Sequence, residues 1–280
     1  MTQKAGVVTA FVHKVDPKQG RVKVEYRSIE DKLYSTWAPV AAPMSGKKRG
    51  ALFMPEEGDE CLVAFHDGKF EHPYVVGFLW NGDHVSHETE AHQRTIVTPG
   101  GHEFRFEDKE QDTRVILRSN GKHELKLEDK ASGPLVSLKS NGGREVLLDD
   151  KPGFGKIEIT SGQHKVTLDD APANTKIAIS AGMGTVTISL NVTPTPSLAI
   201  SVAGNQINVT PAGLNITAAG TAMVQAAGAV TINAATTTVN SAALTVNSGV
   251  ATFSGVVIAS TVVAGSVVSP MYTPGIGNLL

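Results

Sequence analysis

From Gly101 to Ser180 the chain counts. Phe104 and Phe106 are followed by Leu125 and Leu127, then Val146 and Leu148, then Val166 and Leu168. A second series runs beside it: Val115 and Leu117, Val136 and Leu138, Ile157 and Ile159, Ile177 and Ile179. Each series advances by 21, 21 and 20 residues, and the two stay 11 apart. Within every pair the apolar residues stand at i and i+2, which is the period of a strand and not of a helix. Self-similarity of this length marks a stacked repeat whose units cannot bury their apolar faces alone. The chain is therefore all-β around a β-helix or β-prism shaft, with these aliphatics as its packing core. Asp108, Asp129, Asp150 and Asp170 close the first strand of each unit. Each precedes turn residues, so turn hydrogen bonding explains them better than a calcium site.

The shaft changes along its length. The residue between each apolar pair points off the opposite face. It runs Arg105, Lys126, Leu147, Thr167, Thr187 in the first series and Ile116, Ser137, Glu158, Ala178, Ala199 in the second. Net charge is −2, yet every Lys, Arg, Asp, Glu and His lies at or before Lys176. The stem with 20–21-residue repeats spans 101–205. From 206 to 280 the period shortens: Ile216, Val224, Ile232, Val239, Val246 and Phe253 are spaced by 8, 8, 7, 7 and 7. One strand per seven or eight residues, with a small residue at each corner, describes a slim uncharged β-helical tip region. Periodicity fits three intertwined chains and a single-chain parallel β-helix equally well.

The first 85 residues are different. Gly6–Val12, Arg21–Tyr26, Cys61–Phe65 and Tyr74–Trp80 read as short strands, joined by the turn chemistry of Asp16–Gly20 and Asp67–Gly68 and ended by Asn81-Gly82. No helical period intervenes, so a small Greek-key barrel such as the OB-fold is expected. Residues 86–100, with His87 and His92, read as a solvated linker from barrel to shaft. Cys61 lies in an apolar strand and reads as core, not as a nucleophile. A lone cysteine rules out a disulfide framework and fits synthesis in a reducing cytosol. The N-terminus, Met1-Thr2-Gln3-Lys4-Ala5, has no apolar signal region. The apolar run Gly255–Val268 is shorter than the about 20 residues a bilayer span needs.

Four ordered motifs carry a resemblance. They are Asp16-Pro17 with Gly20-Arg21-Val22-Lys23-Val24; Ser35-Thr36-Trp37-Ala38-Pro39-Val40; Gly50-Ala51-Leu52-Phe53-Met54-Pro55-Glu56-Glu57-Gly58-Asp59-Glu60; and Pro73-Tyr74-Val75-Val76-Gly77-Phe78-Leu79-Trp80-Asn81-Gly82. Together they resemble the OB-fold domain of the central spikes of contractile injection systems: phage-tail baseplates, type VI secretion and extracellular injection particles. The repeats after them, and the ending Tyr272–Leu279, are similar to the stem and tail of such spikes.

The resemblance implies a homotrimer whose barrel (1–85) sits in a baseplate hub and whose shaft is driven through a target envelope on sheath contraction. The chain opens on the barrel, so the hub is expected as a separate protein, which favours a phage tail or extracellular particle over a type VI apparatus. Such a protein is made in the cytoplasm and assembled into a particle that is released or held at a membrane. Lys47, Lys48 and Arg49 form the candidate hub contact. Some spikes of this family build an iron site from histidines at the apex. No His follows His164 here, so a bare apex or a small tip-capping protein is implied, with no cofactor and no metal. His102, His123 and His164 recur in register and read as a surface ladder that Arg144 interrupts.

Two other functions are weighed. A carbohydrate-active β-helix needs a cleft lined by carboxylates or cations, and the later repeats carry no charge. An OB-fold that binds single-stranded nucleic acid needs aromatics interleaved with a basic groove, and only Lys47-Lys48-Arg49 is a basic run. A structural, non-enzymatic spike without nucleic acid is the expectation.

Overall fold

Alternation builds the N-terminal barrel. The computed structural model describes residues 6–30, 32–266 and 268; the ending Tyr272–Leu279 lies outside them. Val7–Asp16 (β1), Arg21–Glu25 (β2), Ala38–Pro39 (β3), Glu60–Phe65 (β6) and Pro73–Phe78 (β7) form one antiparallel sheet in the order β3-β2-β1-β6-β7. A parallel bridge between Val40 and Val75 brings its two ends together, so the sheet is a nearly closed barrel. Register shifts at Val12/Lys14 and Leu62/Val63 supply the extra bend that closure demands. Every second residue points inward: Ala10 and Val12, Val22, Val24 and Tyr26, Cys61 and Val63, then Val75 and Ala38. The Tyr26 ring packs on Phe70 and Phe65 with centroids 4.8 and 6.1 Å away. The turns follow the expected chemistry. Asp16 Oδ1 accepts the Lys18 N–H at 3.1 Å, and Asn81 Oδ1 accepts the His84 N–H at 2.7 Å. Between β3 and β6, Ser45–Gly46 (β4) and Arg49–Gly50 (β5) form a small hairpin of their own.

The repeats form a second sheet of 13 strands. Gln93–Val97 (β8), Glu103–Lys109 (β9), Asp112–Arg118 (β10), Glu124–Glu128 (β11), Leu135–Lys139 (β12), Glu145–Asp149 (β13) and Lys156–Ser161 (β14) make its first half. His164–Asp169 (β15), Lys176–Ala181 (β16), Val186–Asn191 (β17), Ser197–Val202 (β18), Asn205–Thr210 (β19) and Gly213–Thr217 (β20) complete it. Each strand pairs antiparallel with the next in the chain. This overturns the parallel coil that periodicity had left open: one repeat is one up-and-down pair of strands, not one turn of a solenoid. Period alone could not tell them apart, because two strands and two turns occupy the same length either way.

Two further expectations change. The segment 86–100 is not all linker, since β8 occupies Gln93–Val97 and pairs Thr95 with Arg105 and Ile96 with Phe104. Nor is the stretch before it merely solvated. Glu88 accepts from Arg105 at 2.5 Å and from Thr95 at 3.1 Å, and His92 Nε2 lies 3.0 Å from Glu107. In the region of shorter period, among the described residues, 218–266 carry no strand. From Met223 onward the chain is a separate unit. A strand needs a hydrogen-bonded neighbour, and among the described residues this stretch finds none.

One face of the long sheet is polar and is tied together by ions. Glu103 pairs with Arg105 and Arg118, and Arg118 reaches on to Glu124 at 2.7 Å. Lys126 and Lys130 meet Glu128 at 2.8 and 2.6 Å, and Lys165 meets Glu158 at 2.5 Å. Beneath these long side chains Ile116, Glu128 and Ser137 are buried, although sequence periodicity assigned Ile116 and Ser137 to the outer face. The Lys126 and Lys130 ammonium groups hold the Glu128 carboxyl below the usual carboxylate range against the opposing pull of burial. A lowered folded-state pKa adds stability that is complete above the unfolded value of about 4.3 and lost as pH falls through the folded one. The melting temperature should therefore fall as pH drops below about 4, and Glu128→Gln should lower it at pH 7 and flatten that slope. Identical pH profiles for the two proteins would remove Glu128 from this role. In the barrel, burial first, then the nearby Asp59 and Glu60 carboxylates, push the Cys61 thiol up to about 12. Alkylation by iodoacetamide at pH 8 should consequently track global unfolding, and rapid labelling of the native protein would contradict the buried placement.

Candidate functional surface

Strand parity places the counted aliphatics on the other face of the long sheet, in two unbroken rows. One row runs Phe104, Leu117, Leu125, Leu138, Val146, Ile159, Val166, Ile179, each residue opposite the next across the ladder. The second runs Phe106, Val115, Leu127, Val136, Leu148, Ile157, Leu168, Ile177 in the same registers. Both continue where the repeat had stopped being legible, through Ile188 and Leu190, Ile200 and Leu198, Ile207 and Val209, to Ile216 and Leu214. Ile96 on β8 extends the first row by one.

Within one chain this face is half open. Leu117 is 53% exposed, Leu138 57% and Ile216 62%. Val224, Ile232, Val239, Val246 and Phe253 of the distal unit are exposed as well. The middle residues sit on the polar face as expected, with one shift: the row passes through Ser189 and not Thr187. The loop Gly182–Thr185 is two residues longer than the Gly162-Gln163 turn before it, which moves the register by one pair.

The two edges of the sheet are built differently. On one, Thr98–His102, Ser119–His123 and Ser140–Arg144 repeat a single turn. The first residue's hydroxyl accepts the N–H of the fifth at 3.1 Å in all three. The fourth residue is left-handed, with φ of 76° at Gly101, 61° at Lys122 and 76° at Gly143. Lys122 adopts this at a cost of about 1 kcal/mol, where glycine would be unstrained. Successive turns are linked: His102 Nδ1 accepts the Asn120 N–H and His123 Nδ1 the Asn141 N–H, both at 3.3 Å. The histidine ladder is thus a structural column, with Arg144 at its next step.

On the opposite edge the loops 129–134, 150–155 and 170–175 each open on an aspartate. The backbone N–H of Asp129, Asp150 and Asp170 extends the ladder to Thr113, Pro134 and Gly155. Their side chains do not cap the turns as expected. Asp149 and Asp169, one residue earlier, accept from Lys151 and Ala171 at 3.1 and 3.0 Å, and Asp108 pairs with Arg94. An Asx turn needs the carboxylate two residues before the N–H it receives, and only those positions supply it here.

Lys47, Lys48 and Arg49 stand exposed on the β4–β5 hairpin. Beside it a 220 Å³ cleft is lined by Ala41, Pro43, Leu52, Phe53, Met54 and Phe78. Sequence reading singled out the charges and missed the apolar cleft, whose walls come from separate segments. Leu52 and Phe53, within the third motif, are 69% and 61% exposed.

Known proteins match the N-terminal part. Residues 4–80 fit the family model described as the type VI secretion system/phage-baseplate injector OB domain. The chain is 29% identical over 115 residues to the type VI secretion system spike protein VgrG4b of Pseudomonas aeruginosa, covering 36% of this chain and 14% of that one. It is 29% identical over 113 residues to VgrG5 of the same organism, with the same coverage. It is 27% identical over 112 residues to VgrG3 of Vibrio cholerae, covering 36% of this chain and 11% of the relative. The chain thus spans about one seventh or less of the length of these spike proteins. The likeness to the family model is thus confined to the barrel: residues 4–80 are similar to the injector OB domain of type VI and phage-baseplate spikes.

Proposed function

We propose that this protein is the non-enzymatic central spike of a contractile injection apparatus. Its barrel seats on a separate baseplate hub protein, and its long sheet packs with two further copies into a rod. The observation that carries this reading is the pair of apolar rows running from β9 to β20, fully paired along the backbone yet uncovered on one side. Fully covering one such side chain is worth about 1.5–3 kcal/mol. With two from every strand, the gain accumulates along the sheet. Three sheets with these faces turned inward exclude water from all of them.

The exposed basic hairpin and its adjoining apolar cleft fit the hub contact. Sheath contraction supplies the thrust. The uncharged distal unit, whose short segments find strand partners in the other copies, leads into the target envelope and takes a small capping protein at its end. A charged side chain at a bilayer centre costs about 2.5–3.5 kcal/mol, and residues 177–280 hold none.

Sedimentation of the purified protein should give three times the chain mass, with resistance to SDS at room temperature. Leu138→Asp should abolish that trimer and leave the barrel folded, since Leu138 is already 57% exposed in one chain and meets apolar cover only in the rod. A monodisperse monomer, or a trimer indifferent to Leu138→Asp, would sink the rod. Lysines at Thr231 and Thr245 should lower delivery into target cells without changing the trimer. Unchanged delivery would show that lack of charge serves packing alone.

A further inference from the structure

The apolar face has a border, with three histidines and an arginine along one side of it and four aspartates along the other. Strand parity puts His102, His123, Arg144 and His164 two residues before the apolar pairs, and Asp108, Asp129, Asp150 and Asp170 two residues after them, on the same side of the sheet. We infer that copies of this chain meet edge to edge, with the His/Arg row of one against the Asp row of the next; this rests on the trimeric rod proposed above.

All eight side chains are exposed. Asp108 has Arg94, but among the described residues no ion pair takes up Asp129, Asp150, Asp170 or Arg144. The turns of the first edge, 98–102, 119–123, 140–144 and 161–164, contain Lys122, Arg144 and three histidines and no carboxylate. Across the sheet, loops 108–112, 129–134, 150–155 and 170–175 contain six carboxylates against three lysines. Both rows run from β9 to β15 and stop together; past Lys176 neither edge holds a charge.

Hydrogen bonding prepares the histidines for a carboxylate. His102 and His123 each use Nδ1 to accept a backbone N–H, so the proton of the neutral ring sits on Nε2 and that nitrogen is a donor.

Rotational symmetry does the rest. Three sheets with one face inward meet at three corners, and each corner joins opposite edges of two copies, a heterologous contact that closes on itself. Arg144 and Asp150 flank the two ends of β13, so a threefold axis normal to the strands brings one copy's Arg144 level with the next copy's Asp150. His102 with Asp108, His123 with Asp129 and His164 with Asp170 follow on β9, β11 and β15.

The test is a charge exchange in the full chain: Arg144→Asp, Asp150→Arg, and the two together, with trimer dissociation in SDS followed over time. Each single reversal places like charges at all three corners and should speed dissociation about tenfold; the exchange should return it to within about twofold of the parent. Four proteins that dissociate alike, or an exchange as weak as the singles, would overturn the edge pairing. Should a reversed charge prevent folding, Arg144→Gln and Asp150→Asn are expected to weaken the trimer to the same extent singly and together, because each removes the same contact; fully additive losses would count against the pairing. A parent protein that is monomeric overturns the rod itself, whereas trimers insensitive to every one of these substitutions overturn only the corner contact.

Discussion

An antiparallel meander closes its hydrogen bonds one strand at a time, but it cannot cover its own two faces. That constraint governs residues 93–217. Each interior strand is bonded on both sides by its neighbours in sequence, so the backbone of the sheet asks nothing of another molecule. The side chains do. A net backbone hydrogen bond contributes about 1 kcal/mol, and covering a leucine or isoleucine contributes more than that. The sheet's secondary structure is therefore self-sufficient while its apolar face is not. Other features of the stem read as consequences: the polar face braced by ion pairs, and edges that differ in turn length and charge.

The ion pairs carry information the apolar rows lack. Phe, Leu, Val and Ile repeat so uniformly that sliding one strand against its neighbour by two residues would still leave an apolar face. Glu103–Arg118–Glu124, Lys126–Glu128–Lys130 and Glu158–Lys165 differ from repeat to repeat and cannot be exchanged for one another. A uniform core with non-uniform charges is a common solution to register, since exposed pairs add little stability but make wrong alignments unfavourable.

Much of this was legible in the sequence because strand parity is rigid. The pairs at 104/106 through 177/179 fall in the two rows as counted, and the barrel strands fall where alternation and turn residues put them. The illegible parts have particular causes. Direction of pairing is invisible to period, so antiparallel and parallel stacking gave the same count. β8 was missed because it precedes the first full repeat and has nothing to match. Thr187 was misplaced by two residues because the Gly182–Thr185 loop is longer than its predecessor. The cleft beside Lys47–Arg49 is assembled from 41–43, 51–54 and 77–78, and only folding brings those together.

The change of character after Thr217 follows from turn chemistry more than from strand propensity. Reversing the chain every ten residues requires a residue that tolerates positive φ, and the stem supplies one at nearly every tight turn, as at Gly101, Gly143, Gly162 and Gly204. Between Gly228 and Gly249 there is no glycine at all, while β-branched residues remain abundant. Such a stretch keeps its preference for extended backbone and has only Asn233, Asn240 and Asn247, one per short repeat, as residues that readily take a left-handed turn. It can bend to a new direction, and it can pair with strands that another copy brings alongside. A chain that satisfies its own backbone over the stem thus reaches a region where both backbone and side chains call for partners, and on the proposed reading that region is the leading end of the spike.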